Sequence, residues 1–116
     1  MNMATIEMKM ILNEELPADL RKELEDDARM RDLTLNDAAT RVLSQHFGIE
    51  WSSSGRGFRE TSERFKLRVS EELHRELRVQ AADRMQTIRG ITLNTLSTHY
   101  QTEIVEPNRR PRRQVA

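Results

Sequence analysis

Two stretches of this chain alternate apolar and polar positions with a period of two, and each is followed by apolar positions three and four residues apart. Residues 6–16 mix alternating apolar residues (Ile6, Met8, Met10, Leu12) with polar ones before Pro17, which reads as a short strand leading into a helix. From Ala18 the apolar positions Leu20, Leu24 and Ala28 recur at helical spacing, with Arg21, Lys22, Glu23 and Glu25 on the other face. That helix is expected to end near Asp32. Thr34 or Asn36 can cap a second helix with a stripe of Leu35, Ala38, Ala39, Val42, Leu43 and Phe47, closed by Gly48. The rhythm then repeats. In Arg64-Phe65-Lys66-Leu67-Arg68-Val69 apolar and basic residues alternate strictly, Ser70 caps a helix opened by Glu71 and Glu72, and Leu73, Leu77, Ala81 and Met85 form its expected buried side. Thr87 opens a last helix carrying Ile88, Ile91, Thr95, Leu96 and Tyr100.

The repetition is literal. Residues 11–47 laid over residues 64–100 at a constant shift of 53 positions bring Leu20 onto Leu73, Leu24 onto Leu77, Ala28 onto Ala81, Leu35 onto Ile88 and Leu43 onto Leu96. Ser44 meets Ser97, His46 meets His99 and Phe47 meets Tyr100. The matches fall mostly on apolar positions, so the duplication preserves a core. Each copy is under fifty residues and would bury little surface alone, so a copy needs a partner, either the other half or a half from another chain. Residues 49–63, with four serines and two glycines, read as a linker; fully stretched it spans about 50 Å, so intrachain pairing is allowed but not required. Trp51 and Phe58 are candidates to pin it to the body.

Composition narrows the classes. There is no cysteine, hence no disulfide framework and no thiolate metal site. No run of eighteen apolar residues occurs, and residues 1–7 lack the pattern of a signal peptide, so a cytoplasmic protein without a membrane partner is expected. The net charge of zero conceals an asymmetry: residues 1–48 carry six basic and ten acidic side chains, and residues 49–116 thirteen and nine. Opposite signs let the halves attract each other, and equally let the second half face a polyanion. In the second strand Arg64, Lys66 and Arg68 form a row of cations opposite Phe65, Leu67 and Val69.

Strand, helix and helix within about forty residues, with cations on the strand's outward face, resembles the ribbon-helix-helix family of DNA-binding proteins. The resemblance implies a mainly α fold with short β-strands: a tandem ribbon-helix-helix whose strands pair into an antiparallel two-stranded ribbon over a four-helix core. The organisation it implies is a first copy at 1–48, acidic and degenerate in its strand, a linker at 49–63, a second copy at 64–105 and a disordered basic tail at 106–116. In that family the ribbon enters the major groove of double-stranded DNA. Carried over, the base-reading positions are Arg64, Lys66 and Arg68 in the second copy and Ile11, Asn13 and Glu15 in the first. A one-residue slip or bulge would instead make Met8, Met10 and Leu12 the inward set and turn Glu7, Lys9 and Ile11 outward, so both Asn13 and Lys9 are candidates. In the uniform register Glu14 falls on an inward position. The starts of the second helices, Thr34 to Asn36 and Thr87 to Arg89, match the family's phosphate anchor.

Arg109, Arg110, Arg112 and Arg113 in the tail are candidate phosphate contacts, with a merely solubilising tail as the plainer reading. His46 and His99 read as helix-end residues, because no ligand spacing surrounds them; no metal or cofactor is expected. The methionines at 1, 3, 8, 10 and 30 read as start, flexible end and core filler. No phosphate loop, nucleophile elbow or metal motif supports an enzyme. The resemblance implies a sequence-specific transcriptional regulator, as in many family members a repressor, with self-association along DNA as a further expectation. The alternative is an antitoxin-like interaction module whose main partner is a toxin-like protein; the tail offers only Val115 as an apolar anchor, which weighs against its serving as the partner-binding segment.

Overall fold

The computed structural model describes residues 8–59 and 64–102. It is mainly helical, with one two-stranded antiparallel sheet and four helices in the order β1 (Met8–Glu14), α1 (Ala18–Arg31), α2 (Leu35–Phe47), β2 (Phe65–Ser70), α3 (Glu71–Asp83), α4 (Ile88–Tyr100). No helix among the described residues is long and apolar enough to cross a membrane.

The duplication is visible in the strand pairing and in the helix corners and caps that close α1 to α4. Asn13 lies opposite Lys66, and these are the equivalent residues at the shift of 53, so a pseudo-twofold axis passes between them. The pairs Leu12–Leu67 and Glu14–Phe65 exchange across that axis. The corner after α1 has Asp32 at φ 53° and the corner after α3 has Met85 at φ 55°, with Leu33 N–H donating to Ala28 O and Gln86 N–H to Ala81 O, both at 2.8 Å. Thr34 and Thr87 cap α2 and α4 alike, accepting from Asp37 N–H and Gly90 N–H. Gly48 and Gln101 close them in the left-handed region, with Ile49 N–H donating to Ser44 O and Thr102 N–H to Ser97 O. Two segments with the same local hydrogen bonds have met the same packing problem twice.

Packing follows the apolar stripes. Leu20, Leu24 and Ala28 of α1 and Leu73, Leu77 and Ala81 of α3 are buried with Val42, Leu43, Ile91 and Leu96 under the strand residues Leu12, Phe65, Leu67 and Val69. Helices α2 and α4 pack on each other, so the core is shared between the copies. Met85 is the exception: the sequence expectation makes it core, yet it is 93% exposed, because α3 ends at Asp83 and the chain turns through a left-handed residue at that point. Met8, Met10 and Met30 are exposed as well and fill no core.

The uniform alternation of the first strand is broken within it. Met10 pairs with Arg68 and Leu12 with Leu67, so Ile11 is an extra residue in a bulge. Leu12 points inward as the gapless repeat requires, and the bulge then turns Met10 to the outward side with Arg68 while Ile11 packs against the core. Met8 and Met10 are therefore not inward.

The linker is held down. Trp51 Nε1 donates to Thr40 Oγ1 at 2.9 Å, Ser54 donates to buried Asp37 through its backbone N–H and its hydroxyl, and Phe58 N–H donates to Asp32 Oδ1. Arg29 stacks over the Phe58 ring at 4.8 Å. Both aromatics thus anchor the connection.

A further tie joins the copies. The Tyr100 hydroxyl on α4 donates to Asp27 Oδ2 on α1 at 2.5 Å, and Arg31 donates to the other oxygen at 2.7 Å. Burial alone would raise the Asp27 carboxyl, but the bonds from Tyr100 and Arg31 outweigh it and hold the group below its ordinary value of 3.8. Burial, together with that carboxylate, pushes the Tyr100 hydroxyl well above its ordinary range. A carboxyl depressed in the folded state stabilises the fold above its unfolded value and ceases to do so as pH falls through the folded one. Tyr100→Phe is therefore expected to cost about 1–2 kcal/mol at neutral pH. Thermal melts should show the gap between wild type and variant closing as the pH is taken below 3.8. A gap independent of pH would mean that the hydroxyl's bond to the carboxylate contributes nothing.

Candidate nucleic-acid interface

The outward face of the ribbon is built by alternation. Phe65, Leu67 and Val69 are buried, which forces Lys66 and Arg68 to the opposite side, where both are exposed. Cross-strand partners share a face, so Asn13 stands beside Lys66 and Met10 beside Arg68. Met10 is 47% exposed. No residue on this face of the described strands is acidic: Met8, Met10, Asn13, Lys66 and Arg68 are its members. Arg64 lies just before β2 and reaches diagonally across the ribbon, its Nε donating to Asn13 Oδ1 at 3.0 Å and its Nη2 to the Asn13 carbonyl. Lys9 is exposed but pairs with Val69, so the bulge places it on the parity opposite to the cationic row.

The two helix starts flank the ribbon at equivalent places. At each, the threonine cap binds the third helical N–H, and the two amides before it have no acceptor within the helix: Leu35 and Asn36 on one side, Ile88 and Arg89 on the other. The second helical residues, Asn36 and Arg89, are equivalent by the shift of 53 yet act differently. Asn36 uses its whole amide on β2, accepting from Arg68 N–H at 2.7 Å and donating to Arg68 O at 3.1 Å, and so closes the free edge of that strand as a neighbouring strand would. Arg89 forms a two-pronged ion pair with Glu14, Nε to Oε2 at 2.7 Å and Nη2 to Oε1 at 2.9 Å. Glu14 does lie on the inward parity, opposite Phe65; Arg89 meets its charge there.

The candidate residues thus separate. Lys66, Arg68 and Asn13 share one face, Arg64 is hooked onto it, and Thr34, Thr87, Asn36 and Arg89 stand at its flanks with the last two side chains engaged within the protein. Arg109, Arg110, Arg112 and Arg113 lie outside the described residues. Sequence reasoning missed the exposed Met8 and Met10, whose only available signal was the adjacency of Ile11 and Leu12, two apolar residues where alternation demands one.

Eleven residues beyond these helix starts, about 16 Å along each helix, His46 and His99 line one small cleft of about 210 Å³ between α2 and α4 together with Val42, Thr95, Gln45 and Thr98, three pairs related by the shift. Each imidazole packs edge-on against the aromatic ring that follows it, Phe47 or Tyr100. Among the described residues no group of three or more His, Cys, Asp or Glu comes together as a metal site would require.

Set against models of known protein families, curated proteins and solved structures, the chain gives no match.

Proposed function

We propose that this protein is a tandem ribbon-helix-helix regulator of transcription, a repressor that binds a specific DNA sequence by inserting its β1–β2 ribbon into the major groove. The observation that carries this reading is the pair of exposed cations, Lys66 and Arg68, on a ribbon face whose strand residues are all non-acidic, with exposed Glu15 following just beyond the end of β1 and one helix N-terminus at each flank. A two-stranded ribbon fits the major groove, where base edges present distinguishable donors and acceptors. Arg68 suits a two-pronged bond to guanine, Lys66 a guanine oxygen, Asn13 an adenine edge, and the exposed Met10 a thymine methyl. The first-turn amides of α2 and α4 suit phosphates on either side of the groove, where they would set position and register.

Because Asn13 stands where Lys66 stands in the second copy, the face is chemically lopsided about its pseudo-twofold axis. An imperfectly palindromic operator follows. The chemistry is recognition, without catalysis, metal or cofactor, and its setting is the cytoplasm of the cell that holds the operator.

The test is selection of duplexes from a random pool by the full chain, followed by affinity measurements across a salt series. Expected is an enriched motif with unequal half-sites, whose log affinity falls linearly with log salt by about 0.9 for every phosphate neutralised. No enrichment and no binding at low salt, with a stoichiometric protein partner on purification, would replace this reading with that of a protein-interaction module.

A further inference from the structure

We propose that Glu14 withholds Arg89 from the DNA backbone and so attenuates binding at the β1–α4 flank; the inference rests on the DNA-binding reading above. A cation at a helix N-terminus faces the positive end of the helix dipole and is disfavoured there unless an anion accompanies it. Arg89 is such a cation, the second residue of α4. The anion beside it is Glu14, which offers both carboxylate oxygens to two nitrogens of the guanidinium, at 2.7 and 2.9 Å. That two-oxygen geometry is the one in which an arginine also grips a phosphate. Glu14 therefore occupies the guanidinium in the way a backbone phosphate would, at the helix start whose amides also suit one.

The placement of Glu14 is not what packing alone would choose. Its equivalent in the second strand is Leu67, fully buried, and its own cross-strand neighbour is Phe65, also buried. A leucine there would extend the core; a carboxylate instead reaches its oxygens to the rim, where its side chain is 26% exposed and that of Arg89 47%. At that exposure an ion pair contributes little to stability, so the fold does not depend on it. What it does alter is the charge offered to DNA. The opposite flank has a neutral asparagine in the place of Arg89, spent on the strand edge beside Arg68. The β1–α4 flank thus holds an arginine in reserve behind its own carboxylate.

Binding of the full chain to one selected duplex should be compared between 50 and 200 mM salt for wild type, Glu14→Gln, Glu14→Leu, Arg89→Gln and the Glu14→Gln/Arg89→Gln pair. Expected is a tightening of about fivefold to tenfold in Glu14→Gln at the lowest salt, the scale of one added charge-assisted contact. The salt slope steepens by about 0.9, so that advantage shrinks roughly threefold by 200 mM. Glu14→Leu, which copies the second strand, gives the same gain with its packing intact. The gain disappears when Arg89 is already glutamine. A gain that persists undiminished without Arg89 would mean that Glu14 acts only as diffuse negative charge, and would overturn the proposal; so would affinities unchanged from wild type in both Glu14 variants. Failure of every protein, wild type included, to bind any duplex would strike the DNA reading itself and this inference with it.

Discussion

Lys66→Ala together with Arg68→Ala is expected to weaken binding to the selected duplex by at least about thirtyfold while leaving the melting temperature nearly unchanged. A well-formed contact from a side chain to a base edge discriminates by about 1–3 kcal/mol, so two lost contacts amount to roughly 2–6 kcal/mol. The fold tolerates the change because both side chains are exposed, and such substitutions usually move stability by less than about 0.5 kcal/mol. The backbone of Arg68 keeps its two bonds to Asn36 whatever side chain it bears. The loss should be concentrated on the selected sequence. An equal loss on all duplexes would make these residues phosphate contacts and would remove groove reading from the account. Arg64→Ala confounds the two effects, since that guanidinium already ties β2 to Asn13.

Separated halves of the chain, cut between residues 59 and 64, are each expected to be unfolded at micromolar concentration and to regain helical signal when mixed. In the described residues β1 has no partner except β2, and α2 packs on α4 across the pseudo-twofold axis. Either half alone therefore exposes a strand edge together with the leucines that the other half covers, at a length too short to build its own core. Pairing of the second half with itself is opposed at the centre of the ribbon. Asn13 would be replaced there by a second Lys66, and like charges directly opposite one another destabilise a strand pair. Far-UV circular dichroism and sedimentation of each half and of the mixture decide the matter; a cooperative melt by either half alone would show that the duplication is two domains rather than one.

The duplicated core was open to inspection in the sequence because burial imposes a period. Leu20, Leu24 and Ala28 and their counterparts Leu73, Leu77 and Ala81 declare a helix face by spacing, and Phe65, Leu67 and Val69 declare a strand face. Lys66 and Arg68 then had one side left to occupy. The end of α3 was not read from the sequence: Met85, a hydrophobic residue in helical phase, concealed the left-handed corner that matches the one at Asp32. The caps at Thr34 and Thr87 are local chemistry, and local chemistry is written in consecutive residues.

The parts that escaped the sequence are contacts between residues far apart along it. Two apolar neighbours, Ile11 and Leu12, fit either phase of a strand, and the bulge is decided by which of them meets Leu67, fifty-five positions away. Arg64 turns to Asn13, Arg89 to Glu14, Asn36 to the backbone of Arg68 and Tyr100 to Asp27, so candidate DNA contacts and an ordinary helix-end tyrosine acquire partners that no local pattern announces. Periodicity determines which face of an element is buried, because every residue of the element votes on it. The partner of a single polar side chain is decided only when two such faces are brought together, since its one bond leaves no repeating trace along the chain.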